Sequence, residues 1–157
     1  MNQGKGALWV LLQIPLLLLA FALPSLMSGR VLPWPDDTHP WRQTVSALAA
    51  VVGLLLLTFG AWGLGRNLTP FPRPRADGAL VTTGVYRIVR HPIYSGIIFL
   101  ALASAVRAHT ALALLLPVMV FLFFDAKARF EEKWLVRRFM DYPDYQVRTA
   151  KLIPWLY

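Results

Sequence analysis

The sequence predicts an all-α integral membrane protein with about four transmembrane helices, a short hairpin between the third and fourth helices, and a cytoplasmic helical tail. Composition is the first support, because 57% of the residues are hydrophobic and the mean hydropathy is +0.51, against roughly 45–50% apolar residues in a soluble domain. The apolar residues also form four runs with few charges, and the 16 lysines and arginines flank those runs. We expect the whole chain, residues 1–157, to form one domain.

The first two apolar runs are each long enough to cross a bilayer. Residues 7–28 contain no charge, and as a helix they would extend about 33 Å, against a hydrocarbon core of about 30 Å. Pro15 and Pro24 would at most kink this helix, since neighbouring helices can satisfy the freed carbonyls. A cleaved signal peptide is the alternative, but the run exceeds a signal core and no clear A-x-A site follows. Residues 44–64 form the second uncharged run.

The remaining apolar sequence forms two shorter runs, residues 93–106 and 110–124, joined by Arg107-Ala108-His109. The first of these has 14 residues, and a helix of that length rises only about 21 Å. These runs must therefore tilt, recruit flanking residues or stop short of the far face. We expect a tight antiparallel hairpin, with the fourth helix continuing past Phe124 into water as the charged stretch 125–140.

The basic residues are divided unequally between the two sides that four spans would create. Arg30, Arg42 and Arg107 lie on one side, and the other 13 lysines and arginines lie on the side of both termini. Because such an excess marks the cytoplasmic face, we expect both termini to lie in the cytoplasm. In a bacterium, the protein would then lie in the inner membrane. Topology thus explains the net charge of +8, and we expect the lipid bilayer rather than nucleic acid as a partner.

A cluster of polar residues at the start of the third run indicates a ligand site; it reads Tyr86-Arg87-Ile88-Val89-Arg90-His91-Pro92-Ile93-Tyr94-Ser95-Gly96. Pro92 suits the first turn of a helix, whose orphan N–H groups carry a partial positive charge. With Arg90 and His91 just outside that end, the arrangement favours binding of a carboxylate or phosphate. Gly96 would let a ligand or another helix approach closely. The alternative is an interfacial anchor, with the arginine and Tyr94 at the lipid headgroups.

An adjacent carboxylate pair, Glu131-Glu132, lies where the fourth run becomes polar. Neighbouring side chains on a helix point about 100° apart, so one carboxylate can face the site while the other packs or pairs. We expect Glu131 to be the partly buried residue and the one that serves the site, because its helix face is the more apolar. Pairing with Lys127 and Arg129 on the helix surface is the alternative.

Other parts of the sequence carry weaker signals. The loop 69–74 is too rich in proline for regular helix and is expected to run extended along the membrane surface. The aromatic and basic tail, which includes Tyr142 and Tyr145, could dock at the interface or form a lid over the site. The chain has no cysteine, and the other two histidines lie on the opposite side from His91, so no metal site is expected.

The motif and the carboxylate pair together resemble the signatures of the isoprenylcysteine carboxyl methyltransferase and phospholipid methyltransferase superfamily. Residues 80–86 followed by Arg90-His91-Pro92-x-Tyr94-x-Gly96 resemble its R-H-P-x-Y-x-G signature, and Glu131-Glu132 with the aromatic residues that follow resembles its C-terminal E-E segment. The similarity covers about residues 65–157. The G-x-G that phosphatidylethanolamine methyltransferases carry near the first motif is missing, which leaves the methyl acceptor open.

The resemblance implies an integral membrane enzyme that binds S-adenosylmethionine at the cytoplasmic edge and methylates a lipid-like or small amphiphilic acceptor. Regions 80–96 and 125–157 would form the cofactor site. The implied cofactor-binding residues are Tyr86, Arg90, His91, Pro92, Tyr94, Gly96, Glu131, Glu132, Tyr142 and Tyr145. Arg90 and His91 are candidates for positioning the reactants, and no side chain stands out as a general base.

Two other functions are compatible with parts of the sequence. A non-catalytic membrane protein could bind anionic lipids through the basic loops. Some membrane sterol reductases end in a related H-P-x-Y-x-G segment and use NADPH, but they have many more spans than 157 residues can form. Methyl transfer is therefore the function that we expect.

Reporter fusions test the predicted orientation. Alkaline phosphatase fused after Tyr157 should be inactive and a fluorescent protein fused there should fluoresce, because the 13-to-3 distribution of basic residues places this end in the cytoplasm. A fusion within the connection 107–109 is the control and should give the opposite pattern. An active phosphatase after Tyr157 would contradict the orientation.

Overall fold

In the part of the chain that the structure describes, five α-helices form the regular structure, in agreement with the predicted all-α fold class. The computed structural model describes residues 4–27, 31–35, 38–69, 71 and 78–157. The helices are α1 (Gly4–Leu26), α2 (His39–Leu64), α3 (Pro92–Arg107), α4 (Leu115–Arg138) and α5 (Tyr142–Arg148), with 3₁₀ turns at Gly65–Asn67, Gly84–Arg87 and Ala111–Leu114. Within these described ranges the backbone forms isolated bridges but no strand.

Among the described residues, three helical segments are long and apolar enough to cross a membrane, namely Gly6–Leu26, His39–Asn67 and Ala111–Arg138. The helix α3 is apolar but shorter, with 16 residues and a rise of about 24 Å. These helices support an integral membrane protein, whereas the number of four spans stays a prediction.

Several helix ends differ from the predicted runs. The helix α2 begins at His39 rather than at residue 44, because Pro40 is compatible with the first turn of a helix. The fourth run divides into a 3₁₀ turn and α4, and α4 continues past Phe124 to Arg138 as expected. The proline-rich loop 69–74 lies mostly outside the described residues.

The helices α2 and α3 pack closely because glycines lie at their contact. A Cβ atom on Gly96 would lie 2.7 Å from the carbonyl oxygen of Gly53, and one on Gly53 would lie 2.9 Å from the carbonyl oxygen of Gly96. The Ser46 hydroxyl adds a buried hydrogen bond of 2.9 Å to the carbonyl oxygen of Ala103. Small residues allow this approach in a membrane, where van der Waals packing rather than the hydrophobic effect joins helices.

Arg42 of α2 fixes the C-terminal end of α3. Its Nε donates to the carbonyl oxygen of Val106 at 3.0 Å, and its Nη2 donates to that of Ala108 at 2.5 Å. A cation is favourable at this end of a helix, where carbonyl groups lack intrahelical partners. Together with the glycine contact, this cap holds α3 against α2 along its length.

The segment after α5 folds back onto the start of α3. The backbone N–H groups of Arg90 and His91 donate to the carbonyl oxygens of Ala150 and Lys151, at 2.8 and 3.2 Å. Leu152 is fully buried in a core that α1, α3 and α4 share. The tail therefore packs against the motif at the N-terminus of α3 and does not extend away from it.

Replacing Gly96 should force α2 and α3 apart. In Gly96→Ala the new methyl group meets backbone atoms of α2 rather than a flexible side chain, so we expect a loss of about 1–3 kcal/mol in the free energy of unfolding. The measurement is the thermal unfolding midpoint in detergent. The control is Ala47→Val, at an exposed position of α2, which should leave the midpoint unchanged. Equal midpoints for the two variants would show that the glycine contact contributes little.

Candidate active site

A cavity of about 370 Å³ lies beside the N-terminus of α3. Its walls come from α1, the end of α2, the segment 78–81, α3, α4 and the tail. The lining residues are Gln13, Leu64, Asn67, Leu68, Thr69, Gly78, Ala79, Leu80, Val81, Tyr86, Arg90, His91, Pro92, Ile93, Tyr94, Ile97, Lys127, Glu131, Leu135, Phe139, Tyr142 and Tyr145. Small-molecule sites in proteins have volumes of roughly 300–1,000 Å³ and mostly apolar walls with a few polar groups, and this cavity matches that description.

The motif reaches the cavity because α3 begins where the sequence predicts. Pro92 occupies the first turn, and His91 is the N-cap residue. The backbone N–H of Ser95 donates to the carbonyl oxygen of His91 at 3.0 Å. The side chains of Arg90, His91 and Tyr94 then project to the cavity from one side of this helix start.

The Glu132 carboxylate connects the start of α3 to α4 and α5. Its Oε1 accepts hydrogen bonds from Arg90 Nε at 2.8 Å and from Tyr142 Oη at 3.3 Å, and it lies 3.2 Å from His91 Nε2. Its Oε2 accepts from Gln146 Nε2 at 3.0 Å. The anion expected beside Arg90 and His91 is thus supplied by the chain itself.

Arg90 also holds the tail in place. Its Nη1 donates to the carbonyl oxygen of Gln146 at 2.9 Å and to that of Thr149. The guanidinium is largely buried, with 10% of the side chain exposed. Arg90 is therefore a structural link between α3, α4 and α5 in addition to lining the cavity.

Glu131 presents its carboxylate to the cavity. Its Oε2 accepts a hydrogen bond of 2.8 Å from Tyr94 Oη and lies 4.0 Å from His91 Nδ1. The helix geometry separates the two glutamates as expected, since Glu131 lines the cavity and Glu132 does not. Glu131 is partly buried, as expected, with 24% of its side chain exposed, but Glu132 is the more buried of the two, with 11% exposed. The reason is that α5 covers the Glu132 face, which the pattern of α4 alone cannot reveal.

Tyr142 and Tyr145 close the cavity from the tail side. Both rings are buried and line the cavity, and Tyr145 Oη donates to the carbonyl oxygen of Tyr86 at 2.6 Å. Burial raises the pKa of the Tyr142 phenol, to which the Glu132 charge adds, and burial likewise raises the pKa of Tyr145. Both phenols therefore stay protonated and act as hydrogen-bond donors. The tail thus forms one wall of the cavity, and the choice between a lid and interfacial docking stays a prediction.

Most of the predicted site residues meet at the cavity, and two do not. Tyr86, Arg90, His91, Pro92, Tyr94, Glu131, Tyr142 and Tyr145 line it. Glu132 lies behind it, and the prediction that Gly96 lines the cofactor pocket differs from the structure, because α2 occupies the space beside Gly96. Whether these residues contact a cofactor stays a prediction.

Gln13 and Lys127 also line the cavity, although neither was predicted as a site residue. A feature of the sequence could have indicated each of these two residues. Gln13 carries the only amide side chain in α1, and Lys127 lies four residues before Glu131 and so shares its helix face. The apolar walls, such as Leu135 and Phe139, carry no signal that separates them from other apolar residues near the membrane.

Comparison with known proteins identifies the family. The model of the phospholipid methyltransferase family matches residues 41–142. The chain belongs to this family. The match includes the motif, the carboxylate pair and Tyr142, and so covers most of the side chains that form the cavity.

Family relatives include proteins with different names. Protein-S-isoprenylcysteine O-methyltransferase B of Arabidopsis thaliana is 29% identical over 122 residues, which cover 75% of this chain and 62% of that protein. The nickel-cobalt-cadmium resistance protein NccN of Alcaligenes xylosoxydans xylosoxydans is 31% identical over 125 residues, which cover 77% of this chain and 54% of that protein. The chain thus spans about three fifths of the length of these relatives.

A solved structure shares the fold. The eukaryotic intramembrane Ras methyltransferase, isoprenylcysteine carboxyl methyltransferase, superposes with a TM-score of 0.68 at 25% identity, covering 74% of this chain and 43% of that one. Together with the apolar helices, this similarity supports an integral membrane fold of the isoprenylcysteine carboxyl methyltransferase type.

The two glutamates should differ in their effect on stability. Glu132→Gln removes the charge that Arg90 faces while both are largely buried, and we expect it to lower the free energy of unfolding by about 3 kcal/mol. Glu131→Gln is the matched control and should change it by less than about 1 kcal/mol, because Glu131 is partly exposed to the cavity. Chemical denaturation in detergent measures both. Similar values for the two variants would show that Glu132 is not the structural anchor.

Proposed function

We propose that this protein transfers a methyl group from S-adenosylmethionine to a lipid-like or small amphiphilic acceptor at the cytoplasmic face of the membrane. The observation that carries the proposal is the cavity, which combines polar groups of the motif with apolar walls in a chain of the phospholipid methyltransferase family. A soluble cofactor and a membrane-embedded acceptor require such a mixed site.

The residues of the cavity fit the chemistry of this cofactor. S-adenosylmethionine carries an amine and ribose hydroxyls, for which the Glu131 carboxylate is a suitable acceptor. Its carboxylate and adenine require hydrogen-bond donors and apolar surface. His91 is the candidate donor, and Phe139 contributes aromatic surface. We therefore place the cofactor in the part of the cavity between α3, α4 and the tail.

The chain contributes mainly positioning and exclusion of water. When bound, S-adenosylmethionine supplies a methyl group on a sulfonium, which is already electrophilic and leaves its bonding electron pair on sulfur. The protein must hold an acceptor atom in line with that methyl group, a task to which orientation and a dry cavity contribute. A carboxylate acceptor needs no base. For an amine or thiol acceptor the candidate base is His91, whose Nε2 faces Glu132 and whose Nδ1 faces Glu131.

The distribution of charge along α4 supports a location of the cavity at the membrane surface. Its first half is apolar, and charged residues begin at Asp125, so the cavity near Glu131 would lie at a membrane surface. The excess of basic residues assigns that surface to the cytoplasm, in a bacterium at the inner membrane. The cofactor would enter from the cytoplasm and the acceptor from the bilayer, within a single domain that comprises residues 1–157.

Binding of S-adenosylhomocysteine in detergent tests the proposal directly. Calorimetry should detect binding of this product to the wild type, whereas NADPH and phosphatidylglycerol should not compete with it. Glu131→Gln should weaken the binding roughly 10-fold, because it removes a charge-assisted hydrogen bond. Lys133→Gln, on the exposed side of α4, is the control and should bind as the wild type does.

Two results would count against the proposal. Binding of phosphatidylglycerol without any binding of S-adenosylhomocysteine would favour a non-catalytic lipid-binding protein. Unchanged binding in Glu131→Gln would remove Glu131 from the cofactor site. Transfer of labelled methyl groups from S-adenosylmethionine into a host lipid extract would then identify the class of acceptor.

A further inference from the structure

The segment that follows α5 returns to the apolar level of the molecule. Lys151 forms an ion pair with Asp125, the first charged residue after the apolar half of α4. The next residue, Leu152, is fully buried in the cluster that includes Ala101 of α3 and Val120 of α4. Both of these helix positions lie within apolar runs of the sequence. The chain therefore passes from the charged end of α4 to the depth of its apolar half within one residue.

Residues 152–157 form a compact turn, which we call the terminal turn. The backbone N–H groups of Leu152 and Ile153 both donate to the backbone oxygen of Tyr157, at 2.6 and 2.8 Å. The N–H groups of Leu156 and Tyr157 both donate to the carbonyl oxygen of Ile153, at 3.0 Å. Backbone groups that are satisfied within the turn make it compatible with an apolar environment, where no water is available to bond them.

Tyr157 fixes the depth of the terminal turn against α4. Its ring centre lies 5.9 Å from that of Phe121, and its hydroxyl donates to Asp125 Oδ1 at 3.1 Å. These two residues of α4 are about one helical turn apart, so the ring lies beside the apolar half and the hydroxyl points to the charged half. Tyrosines at a membrane surface have this orientation, because the ring is apolar and the hydroxyl needs a polar partner.

The tip of the terminal turn is apolar and exposed. Trp155 and Leu156 each have 83% of their surface exposed. On α4, Leu122 is also exposed, at 60%, and it follows directly after the residue whose ring Tyr157 contacts. Arg129 lies about two helical turns further along α4, is exposed, and donates from Nη2 to Tyr157 Oη at 3.2 Å. This order of apolar residues and then an arginine is complementary to acyl chains and phosphate headgroups.

We propose that the terminal turn inserts Trp155 and Leu156 into the lipid layer beside α4, at the level where headgroups meet acyl chains. Lipid rather than a protein partner is the occupant, because the exposed tip continues the apolar surface of a helix that is able to cross the membrane. This inference depends on the membrane fold and not on methyl transfer.

The insertion would also set the depth of the cavity. The backbone N–H groups of Arg90 and His91 bond to the two residues that precede the terminal turn. A turn that is held in the lipid layer therefore holds the start of α3 at a fixed distance from the membrane surface. Both arginine and histidine line the cavity, so the site stays at the boundary where an amphiphilic ligand is aligned.

Nitroxide labels on single cysteines test the insertion, since the chain has no cysteine of its own. The full chain carries Leu156→Cys or Trp155→Cys and is reconstituted in vesicles of phosphatidylethanolamine and phosphatidylglycerol. Electron paramagnetic resonance then measures collisions with oxygen, which concentrates in hydrocarbon, and with a nickel chelate, which stays in water. We expect the ratio of oxygen to chelate collisions to be several-fold higher at both positions than at Met140→Cys, the control. Met140 is apolar and 96% exposed, and it follows the charged end of α4.

Each outcome of this measurement decides for or against the inference. A label at Leu122→Cys is the reference for lipid and should give a ratio similar to that of the turn. A ratio at the turn as low as that of Met140→Cys would place the turn in water and overturn the inference. Low collision rates with both reagents would show that protein covers the turn. Dipolar broadening that disappears on dilution with unlabelled chain would identify a second copy as the occupant, and either result would also overturn the inference.

The conservative variant Trp155→Phe gives a second measurement that does not depend on labels. The chain has six tryptophans, so the difference in emission between the wild type and Trp155→Phe isolates Trp155. Lipids brominated on the upper carbons of the acyl chains should quench this difference emission several-fold more strongly than iodide in the water does. Stronger quenching by iodide than by the brominated lipids would contradict the insertion.

Discussion

A single buried carboxylate, that of Glu132, joins the start of α3, the polar half of α4 and α5. Arg90 and His91 face it from one side, and Tyr142 and Gln146 bind it from the other. Without the residues that bind it, the charge of Glu132 would stay buried and uncompensated, which would lower the free energy of unfolding. This ion pair and its hydrogen bonds therefore help to hold the tail and the closed side of the cavity, together with the backbone bonds from Arg90 and His91 and the ion pair between Lys151 and Asp125.

The neighbouring residue Glu131 has a different role because adjacent side chains on a helix point in different directions. The side chains of Glu131 and Glu132 point about 100° apart, so Glu131 faces the cavity while Glu132 binds Arg90. Lys127 lies one helical turn before Glu131 and lines the same wall. The helix α4 thus carries a carboxylate and an ammonium at two depths of one cavity.

The short helix α3 contributes the motif, and close packing keeps it in place. Glycines at the contact with α2 allow the backbones to approach, and Arg42 caps the far end. In a membrane such packing has to replace the hydrophobic effect. The position of Gly96 within the motif belongs to this contact, so the family signature combines residues that face the cavity with one that holds the helix against its neighbour.

The sequence by itself determined the all-α class, the apolar runs, the start of α3 at Pro92 and the extension of α4 beyond its apolar half, because these follow from local composition, proline geometry and helical period. It also indicated that only one of the two glutamates would face the site. The tertiary structure decided which partners each residue meets: Glu132 with Arg90, Gly96 with α2, and Lys127 with a glutamine 114 positions away. Periodicity states which residues share a helix face, but it does not state what lies opposite that face, and contacts between distant segments form only when the helices pack.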